Sequence, residues 1–384
     1  MDFSLSEEHI MIQQAARDFA VNECLPGVIG RDEHQKFPYD QVMKLADLGF
    51  LGMMVPEKDG GAGLDMISYV LAMEEISKID ASTSVCMSVN NSLVCYGLEA
   101  FGNEEQKKKY LVPLAQGKKD GELYIGAFLL SEPEAGSDAT SQRTTAEDKG
   151  DHYVINGVKN WITNGNTASV YLVMAQTHPE KGSHGINTFI VEKKWPGVKV
   201  GAKENKLGIR GSDTHSISFT DVKVPKENRI GADGFGFKFA MQTLSGGRIG
   251  IASQALGLAS GAMERAIAYS KERKAFGTEI KNHQIIQFKI ADMATRINAA
   301  RLLCLKAAWQ KDNGQDYTES AAMAKVYASE TAMWVTTEAV QILGGYGYVK
   351  EYHVERMMRD AKITQIYEGT SEMQRIVISR GILK

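Results

Sequence analysis

The chain has 384 residues, of which 43% are hydrophobic and 24% charged, and its formal net charge is −3. This balance is typical of a soluble globular protein, and the length favours two or three domains over one. The weak acidic excess argues against a nucleic-acid surface, which needs clustered positive charge, and no apolar run approaches the roughly 20 residues of a membrane span.

The N-terminal segment and the cysteines both predict a cytoplasmic protein. The segment "MDFSLSEEHIMIQQAARDFA" is acidic and then amphipathic, so it lacks the basic and apolar regions of a signal peptide. The cysteines form no C-x-x-C pair, which indicates neither a zinc site nor a disulfide framework and suits a reducing compartment. They are Cys24, Cys86, Cys95 and Cys304.

Residues 1–120 predict helices broken by turns. Ser6 is a candidate N-cap for a first amphipathic helix, and residues 67–79 predict another helix. Between them, residues 56–65, "PEKDGGAGLD", predict a glycine-rich loop. We therefore expect an N-terminal helical domain.

Residues 121–232 instead predict short strands. Asn156-Gly157 follows one β-type run and precedes another, and this dipeptide is the strongest short hairpin signal. The segments "VYLVMA", "NTFIVE" and "HSISFTDVKV" predict further strands at close intervals. Because no long helical pattern separates them, we expect a middle antiparallel β domain.

Residues 233–384 predict long helices again. Residues 249–273, 285–309 and 319–343 show helical periodicity over segments near 25 residues, or roughly 38 Å each. Antiparallel helices of this length form bundles, so we expect a C-terminal four-helix bundle. The predicted order is helical, β, helical.

Common catalytic signatures are missing from the sequence. "GADGFG" at 231–236 has the wrong spacing for a dinucleotide fingerprint, and "GGAG" at 60–63 lacks the preceding strand. There is no P-loop, H-E-x-x-H or G-x-S-x-G motif, which disfavours phosphoryl transfer, zinc hydrolysis and serine hydrolysis, and we predict no metal site.

Two segments around the β domain have both a structural and a functional interpretation. "LLSEPEAGSDAT" at 129–140 has the composition of a surface turn, yet Ser131 and the backbone near Leu130 could donate to a planar heterocycle. Gly136 and Ser137 would allow close approach to a phosphate. In "WITNG", Trp161 either ends a strand or covers an aromatic ring.

Two helix ends are ambiguous in the same way. The paired glycines of "QILGGYGY" at 341–348 form a helix C-cap in the simplest interpretation, or expose N–H groups to a pyrophosphate. The cations of "KERKAFG" at 271–277 are ordinarily solvated at a helix C-terminus, but Arg273 could contact phosphate with two hydrogen bonds.

In the segment "QIYEGTSEMQ" at 365–374, the acid Glu368 stands between an aromatic residue and a Gly-Thr-Ser turn. In one interpretation Ser371 and Gln374 form a capping box, and Glu368 is a favourable charge near the positive end of the last helix. In the other, Glu368 performs chemistry.

Together these segments resemble the acyl-CoA dehydrogenase family, and closely its short-chain (butyryl-CoA) branch. The resemblance rests on "LSEPEAGSDA", "NWITNG", "GGRIGIASQALG", "ERKAFG" and "QILGGYGYVKEYHVERMMRDAKITQIYEGTSEMQR", and it spans nearly the whole chain. It implies an N-terminal helical domain, a middle β domain and a C-terminal four-helix bundle, as the periodicity predicts.

The resemblance also implies an FAD site that two subunits share, in a homotetramer arranged as a dimer of dimers. The residues matching flavin contacts are Phe128, Leu130, Ser131, Trp161 and Thr163. Those matching contacts to the FAD of a neighbouring subunit are Arg273, Phe276, Gln284, Gln341, Leu343, Gly344 and Gly345. Thr370 and Glu372 match contacts to the adenosine diphosphate part, and the positions matching the acyl-CoA site are Ser137, Ser245, Arg248, Tyr367 and Gly369.

Glu368 matches the catalytic base of the family. A C–H beside a thioester carbonyl is a weak acid, so a carboxylate takes the α proton while a hydride leaves the β carbon for flavin N5, giving a trans-2-enoyl-CoA. The backbone N–H of the base and a ribityl hydroxyl stabilise the enolate-like oxygen. Some members place the base at the position that Gly247 occupies here, so no rival acid is present.

The resemblance leaves three alternatives to the predicted function: another electron acceptor, another acyl chain, or no catalysis. The electrons pass either to an electron-transferring flavoprotein, which we predict, or to dioxygen in an oxidase-type enzyme. The substrate is a straight short-chain acyl-CoA, which we predict, or a branched one. A non-catalytic CoA-binding protein on the same fold is the third alternative, and the retained Glu368 and Arg248 argue against it.

Three positions depart from the family pattern. Ser245 stands where short-chain members usually carry Asp near the CoA chain, Leu129 where a small residue is preferred, and His353 where Pro is usual. The first predicts a change in CoA affinity or acyl preference.

Overall fold

The N-terminal part of the chain is helical. The computed structural model describes residues 4–383, so residues 1–3 and 384 of the predicted first and last domains lie outside the described residues. Its helices are α1 Glu7–Phe19, α2 Val28–Glu33, α3 Tyr39–Asp47, α4 Met66–Ser77, α5 Ala81–Ser88, α6 Tyr96–Phe101, α7 Glu104–Gln106 and α8 Val112–Gln116. A π-helical segment, Val89–Cys95, joins α5 to α6. Ser6 caps α1 as predicted, accepting from the N–H of His9 at 3.1 Å.

The middle of the chain forms an eight-stranded sheet. Two short strands, β1 Lys118–Lys119 and β2 Glu122–Leu123, form a hairpin before it. The strands of the sheet are β3 Gly126–Leu129, β4 Thr145–Asp148, β5 His152–Thr163, β6 Val170–Gln176, β7 Ile186–Glu192, β8 Val198–Lys203, β9 Thr214–Pro225 and β10 Arg229–Ile230. Most pairs are antiparallel, but β6 pairs in parallel with β3 and β4, so the predicted antiparallel domain is in fact mixed.

The hairpin predicted at Asn156-Gly157 is wrong. Strand β5 continues through this dipeptide, and its register against β9 shifts there by a bulge. Gly157 has φ 148°, and a Cβ on it would lie 2.5 Å from Oγ1 of Thr144. The side chain of Asn156 pairs with Asp221 of β9 through two hydrogen bonds of 2.8 and 3.1 Å. Tertiary pairing therefore uses the glycine for close approach rather than for a turn.

The C-terminal part is a bundle of long helices. The helices are α9 Gly236–Glu272, α10 Gln284–Asp312, α11 Thr318–Leu343, α12 Val354–Ile363 and α13 Ser371–Ile382, and the short strands β11 Lys274–Ala275 and β12 Thr278–Glu279 pair between α9 and α10. Helix α9 begins earlier than the predicted residue 249, and its first turns bury Phe239, Ala240 and Thr243 while Lys238 and Gln242 stay exposed. Gly344 caps α11 with φ 61°, as the paired glycines predict.

Strand β6 joins the two kinds of core. Leu172 packs in one cluster with Phe239 of α9, and the next residue, Tyr171, packs in another with Phe189 of β7. Successive strand residues face opposite sides, so β6 is covered by helices on one face and by the β domain on the other. Within residues 4–383, no helix is long and apolar enough to cross a membrane.

Candidate active site

Glu368 lies in the turn between α12 and α13. Two successive residues there are left-handed, with φ of 53° at Glu368 and 88° at Gly369. This conformation costs a residue with a side chain about 1–2 kcal/mol, so other contacts must hold it. The N–H of Ser371 donates to the carbonyl of Gln365 at 3.0 Å, and the amide of Gln374 donates to the carbonyl of Gly369 at 2.8 Å. The turn is thereby fixed.

The capping box predicted for Ser371 and Gln374 is wrong. Thr370 is the N-cap of α13, and its hydroxyl accepts from the N–H of Met373 at 3.3 Å. The side chain of Gln374 turns instead to the carbonyls of Glu368 and Gly369, at 3.3 and 2.8 Å. Those carbonyls belong to left-handed residues that the helix itself does not pair, so the amide satisfies them.

The carboxylate of Glu368 points at α9. A Cβ built on Gly247 would lie 2.1 Å from Oε2 of Glu368 and 2.8 Å from Cδ2 of Leu93. Oε2 is buried and has no hydrogen-bond partner among the described residues. The carboxylate is therefore not a solvated charge at a helix end, and one oxygen is free to accept a proton.

Burial raises the pKa of Glu368 to about 7, and the cations of Lys325 and Arg248 offset part of this rise. Removing a carboxylate from water disfavours its charged form, whereas nearby positive charge favours it. The result is a carboxylate whose basicity is well above the ordinary carboxyl range and which still ionises near neutral pH.

Two predicted substrate residues flank this carboxylate. Arg248 on α9 is 8% exposed, its Nε is buried without a partner, and burial lowers its pKa. The hydroxyl of Tyr367 donates to Oε1 of Gln254, which anchors the residue before the acid to α9. Ser245 is also buried on α9, but its hydroxyl donates to the carbonyl of Met241 at 3.1 Å within the same helix.

The face of α9 that meets Glu368 continues to a group of hydroxyls. Gly247 and Gly250 are three residues apart and therefore share a helix face. A Cβ on Gly250 would lie 2.7 Å from both the hydroxyl of Tyr69 and Oγ of Ser88. The Tyr69 hydroxyl donates to Ser88 at 3.0 Å, and burial, with a smaller effect of the Glu368 charge, raises the pKa of Tyr69. This face, from Gly247 to Gly250, is referred to as the glycine face.

The predicted flavin contacts gather at the ends of β3 and β5. The N–H of Asn160 donates to the carbonyl of Ser131 at 2.9 Å, which joins the loop after β3 to the strand that carries Trp161. Trp161 sits in a bulge with φ 62°, and its side chain is 60% exposed. The ring of Phe128 stacks on Phe239 of α9 with centroids 6.4 Å apart.

The remaining residues of this group lie close by. The carbonyl of Leu130 accepts from Nζ of Lys159 at 3.0 Å, and Thr163 is the last, half-buried residue of β5. Gly136 and Ser137 are exposed in the loop between β3 and β4, and a Cβ on Gly136 would meet nothing within 4 Å.

The predicted contacts to a neighbouring subunit form a separate surface. A cavity of about 540 Å³ is lined by Arg273, Leu343, Gly344 and Gly345, together with Tyr346. The exposed residues near it are Phe276, Gln284 and Gln341. Phe276 is 98% exposed. Glu372 is exposed at the start of α13, and Thr370 caps that helix. One chain therefore presents two separate groups of predicted cofactor contacts.

Sequence reasoning missed three residues around the acid, Tyr69, Gln254 and Lys325, and it assigned Gln374 only to a capping box. Lys325 carried a usable signal, because it lies on α11 among buried small residues, where a charge is unusual. The polar residues Gln254 and Tyr69 lie in segments whose pattern predicts only a packed helix. Their roles follow from contacts between distant parts of the chain.

Three family models match the chain. They describe the acyl-CoA dehydrogenase N-terminal domain over residues 6–118, the middle domain over residues 127–222 and the C-terminal domain over residues 234–383. The chain belongs to the acyl-CoA dehydrogenase family. These matches confirm the resemblance and the fold class expected from the sequence. Members of this family are flavin-dependent oxidoreductases. The domain boundaries at 120 and 232 stay predictions.

Relatives at high identity carry short-chain names. The chain is 50% identical to the short-chain specific acyl-CoA dehydrogenase of Clostridium acetobutylicum, with 100% of both chains covered. The solved butyryl-CoA dehydrogenase of Megasphaera elsdenii is 48% identical, with a TM-score of 0.97 and 100% of both chains covered. A chain in a structure described as the electron transferring flavoprotein of Acidaminococcus fermentans is 51% identical, with a TM-score of 0.97 and 100% of both chains covered.

The residues of this family member fit a flavin nucleotide. An exposed indole in a fixed bulge offers a face for a planar ring, and Trp161 provides it. Gly136, Gly344 and Gly345 have no atom within 4 Å of a built Cβ, so their backbones are open to a ligand. Arg273 adds a guanidinium beside the second pair of glycines, which suits a phosphate.

Proposed function

We propose that the protein is an FAD-dependent short-chain acyl-CoA dehydrogenase in which Glu368 is the catalytic base. The observation that carries this proposal is the state of its carboxylate, which is buried, lacks a partner on Oε2 and has a pKa raised to about 7. A general base works best when its pKa lies near the operating pH. The product is the trans-2-enoyl-CoA.

Each side chain at the site then has a task. Glu368 takes the proton from the α carbon of the acyl thioester onto its carboxylate, and its own backbone N–H donates to the thioester oxygen as negative charge develops there. Arg248 keeps positive charge beside the carboxylate, which holds a fraction of it ionised before substrate binds. Tyr367 encloses the reacting atoms and excludes water. Bound FAD supplies the hydride acceptor for the β carbon at flavin N5.

In this proposal two subunits share each FAD. Phe128, Leu130, Ser131, Trp161 and Thr163 hold the flavin ring, while Thr370 and Glu372 contact the adenosine diphosphate part. Arg273, Phe276, Gln284 and the segment 341–345 hold the FAD of a neighbouring subunit, with Ser137 and Ser245 on the acyl-CoA path. The separation of the two groups on one chain supports this arrangement, which requires at least a dimer. We propose the homotetramer, a dimer of dimers, on the family resemblance.

A short acyl chain is the favoured substrate. The glycine face leads from Glu368 to the hydroxyls of Tyr69 and Ser88 within one helical turn, about 5 Å. Polar groups so near the base leave little apolar length for a fatty chain. The short-chain names of the relatives support the same preference. A series of butyryl-, hexanoyl-, octanoyl-, isobutyryl- and isovaleryl-CoA tests it, and a maximum with isovaleryl-CoA would instead assign a branched substrate.

We propose an electron-transferring flavoprotein as the electron acceptor, an assignment that the description of the Acidaminococcus fermentans structure supports. The test is anaerobic reduction by butyryl-CoA followed by exposure to air. We expect slow reoxidation in air and fast reoxidation by the acceptor flavoprotein. Fast formation of hydrogen peroxide would identify an oxidase, and a colourless protein that cannot take up FAD would identify a non-catalytic binding protein.

Glu368→Gln tests the base directly. The variant removes the carboxylate but keeps its size, so we expect a yellow protein that binds butyryl-CoA while flavin reduction slows by about 10² to 10⁴-fold. Glu8→Gln, an exposed acid on α1 outside the proposed site, is the control and should reduce at the normal rate. Residual turnover close to wild type in Glu368→Gln would overturn the assignment.

A further inference from the structure

Lys325 is a charged residue in the N-terminal third of α11 with no contact to water. Its exposure is 0%, and Ala321, Ala328 and Ser329 on the same side of the helix are also fully buried. Burying an ammonium is expensive unless a partner compensates, so its position calls for a specific interaction.

The ammonium is bonded to the turn that carries the acid. Nζ of Lys325 donates to the carbonyl of Gly369 at 2.7 Å. That carbonyl also accepts from the amide of Gln374 at 2.8 Å, so it has two donors from two different helices. Gly369 directly follows Glu368, and the two residues form the left-handed pair in the turn. Lys325 therefore ties α11 to the residue next to the carboxylate.

The charge of Lys325 also acts on the carboxylate. The groups whose charge acts on Glu368 or responds to it are Lys325 from α11, Arg248 from α9, Tyr69 from α4 and Tyr367 from the turn itself. Glu372 of α13 acts on Lys325 from the other side. Burial lowers the pKa of Lys325 to about 8, while Glu368 and Glu372 raise it and Arg248 lowers it. The ammonium is therefore still protonated where Glu368 ionises.

We propose that Lys325 is a positioning residue for the base: it fixes the left-handed turn through the carbonyl of Gly369 and, by its positive charge, keeps the Glu368 carboxylate ionised at neutral pH. The inference rests on the proposed function of Glu368 as the base. Lys325 itself touches no reacting atom. Its two contributions, the hydrogen bond and the charge, are separable by substitution.

The experiment measures anaerobic flavin reduction by butyryl-CoA from pH 6 to pH 9.5 in the holoenzyme. Lys325→Met removes both the charge and the hydrogen bond. In a plot of reduction rate against pH, we expect the rising limb to move to higher pH by about one unit and the plateau rate to fall. Lys325→Gln keeps a donor without the charge, so the limb should move while the plateau is largely restored. Lys306→Met, an exposed lysine on α10, is the control and should leave the profile unchanged.

A second readout is independent of turnover. We measure the free energy of unfolding of each Lys325 variant with and without Glu368→Gln at several pH values. The pH dependence of the difference reports the pKa of Glu368 in the folded protein. It should report a higher pKa in Lys325→Met than in wild type. Should Lys325→Met fail to fold, Lys325→Gln carries both measurements.

The outcomes separate the two proposals. If Glu368→Gln abolishes reduction but the profiles of Lys325→Met and wild type coincide, the role of Lys325 is overturned and the base stands. If Glu368→Gln reduces the flavin at the normal rate, the proposed function itself falls. A uniform loss at every pH, with an unmoved limb, would reduce Lys325 to a structural contact and also overturn the proposal.

Discussion

The carboxylate of Glu368 fills the space that a side chain on Gly247 would take, since a Cβ on Gly247 would lie 2.1 Å from Oε2 of Glu368. Helix α9 thus has no side chain at the point where the carboxylate packs against it. The same contact means that a side chain at position 247 and the Glu368 carboxylate exclude each other. Either side chain would fill the same volume.

Gly247→Ala should displace the carboxylate. The added methyl also meets Cδ2 of Leu93 at 2.8 Å, so we expect a loss of about 1–3 kcal/mol in the free energy of unfolding and flavin reduction slowed by about 10². Urea unfolding and stopped-flow reduction measure the two effects. The control is Gly30→Ala on α2, where a Cβ meets nothing within 4 Å and the helix gains about 0.5–1 kcal/mol. Normal reduction in Gly247→Ala would contradict the geometry.

Gly250→Ala should narrow the acyl preference. Its Cβ would lie 2.7 Å from the hydroxyls of Tyr69 and Ser88, which shortens the glycine face on the side away from Glu368. A one-carbon change in an acyl-binding site is worth about 1–3 kcal/mol, so kcat/KM for hexanoyl-CoA should fall at least about 10-fold more than for butyryl-CoA. Equal losses for both substrates would show that these hydroxyls do not bound the acyl chain.

The raised pKa of Glu368 makes stability depend on pH. The folded value of about 7 exceeds the ordinary value of 4.5, so the folded protein retains a proton that the unfolded chain releases between these values. The stabilisation from this proton is complete below pH 4.5 and is lost as the pH rises through 7. Glu368→Gln cannot ionise, so its free energy of unfolding should rise relative to wild type between pH 5 and pH 8, by up to about 3 kcal/mol.

Chemical denaturation at pH 5, 6, 7 and 8 measures this difference. The comparison variant is Glu372→Gln, because the pKa of Glu372 is lowered, first by its backbone hydrogen bond, and the pH dependence of this variant should have the opposite sign. A pH-independent difference for Glu368→Gln would mean that its carboxylate is not held protonated by burial.

Arg273→Gln should lower the affinity for FAD without changing the pKa of Glu368. Arg273 lies beside the ring of Tyr346 and lines the cavity with Gly344 and Gly345. Loss of a charged hydrogen bond to phosphate costs about 1.5–3 kcal/mol, so FAD should dissociate at concentrations roughly 10- to 100-fold higher. Flavin fluorescence on dilution measures release, and Lys274→Gln, the next residue, is the control. Unchanged retention would remove Arg273 from the cofactor site.

Local patterns predicted the elements whose signal is contained in a short segment. Ser6 caps α1 and Gly344 ends α11, because capping depends on the residues of one turn. The run "VYLVMA" became β6, buried on both faces. The helical, β, helical order followed from the change of period along the chain.

Patterns failed where hydrogen bonds from outside the motif decided the conformation. Asn156-Gly157 has the sequence of a hairpin turn, but β4 and β9 pair with the two edges of β5 and keep that strand extended. Ser371 has the sequence of an N-cap, but Gln374 pairs with carbonyls of the turn, and Thr370 caps the helix instead. At Asn156-Gly157, tertiary hydrogen bonds outweighed a local preference worth about 1 kcal/mol, whereas at α13 the competing hydrogen bonds lie within the adjoining turn.

The sequence by itself determined the family resemblance, the order of the domains and the acid to examine, because these follow from residue types and spacings. Only the tertiary structure decided what surrounds that acid. The space that Gly247 leaves for Glu368 and the bond from Lys325 to Gly369 join segments that are remote in the chain. Burial sets the pKa of a carboxylate through everything packed against it, and that packing exists only once the helices are assembled.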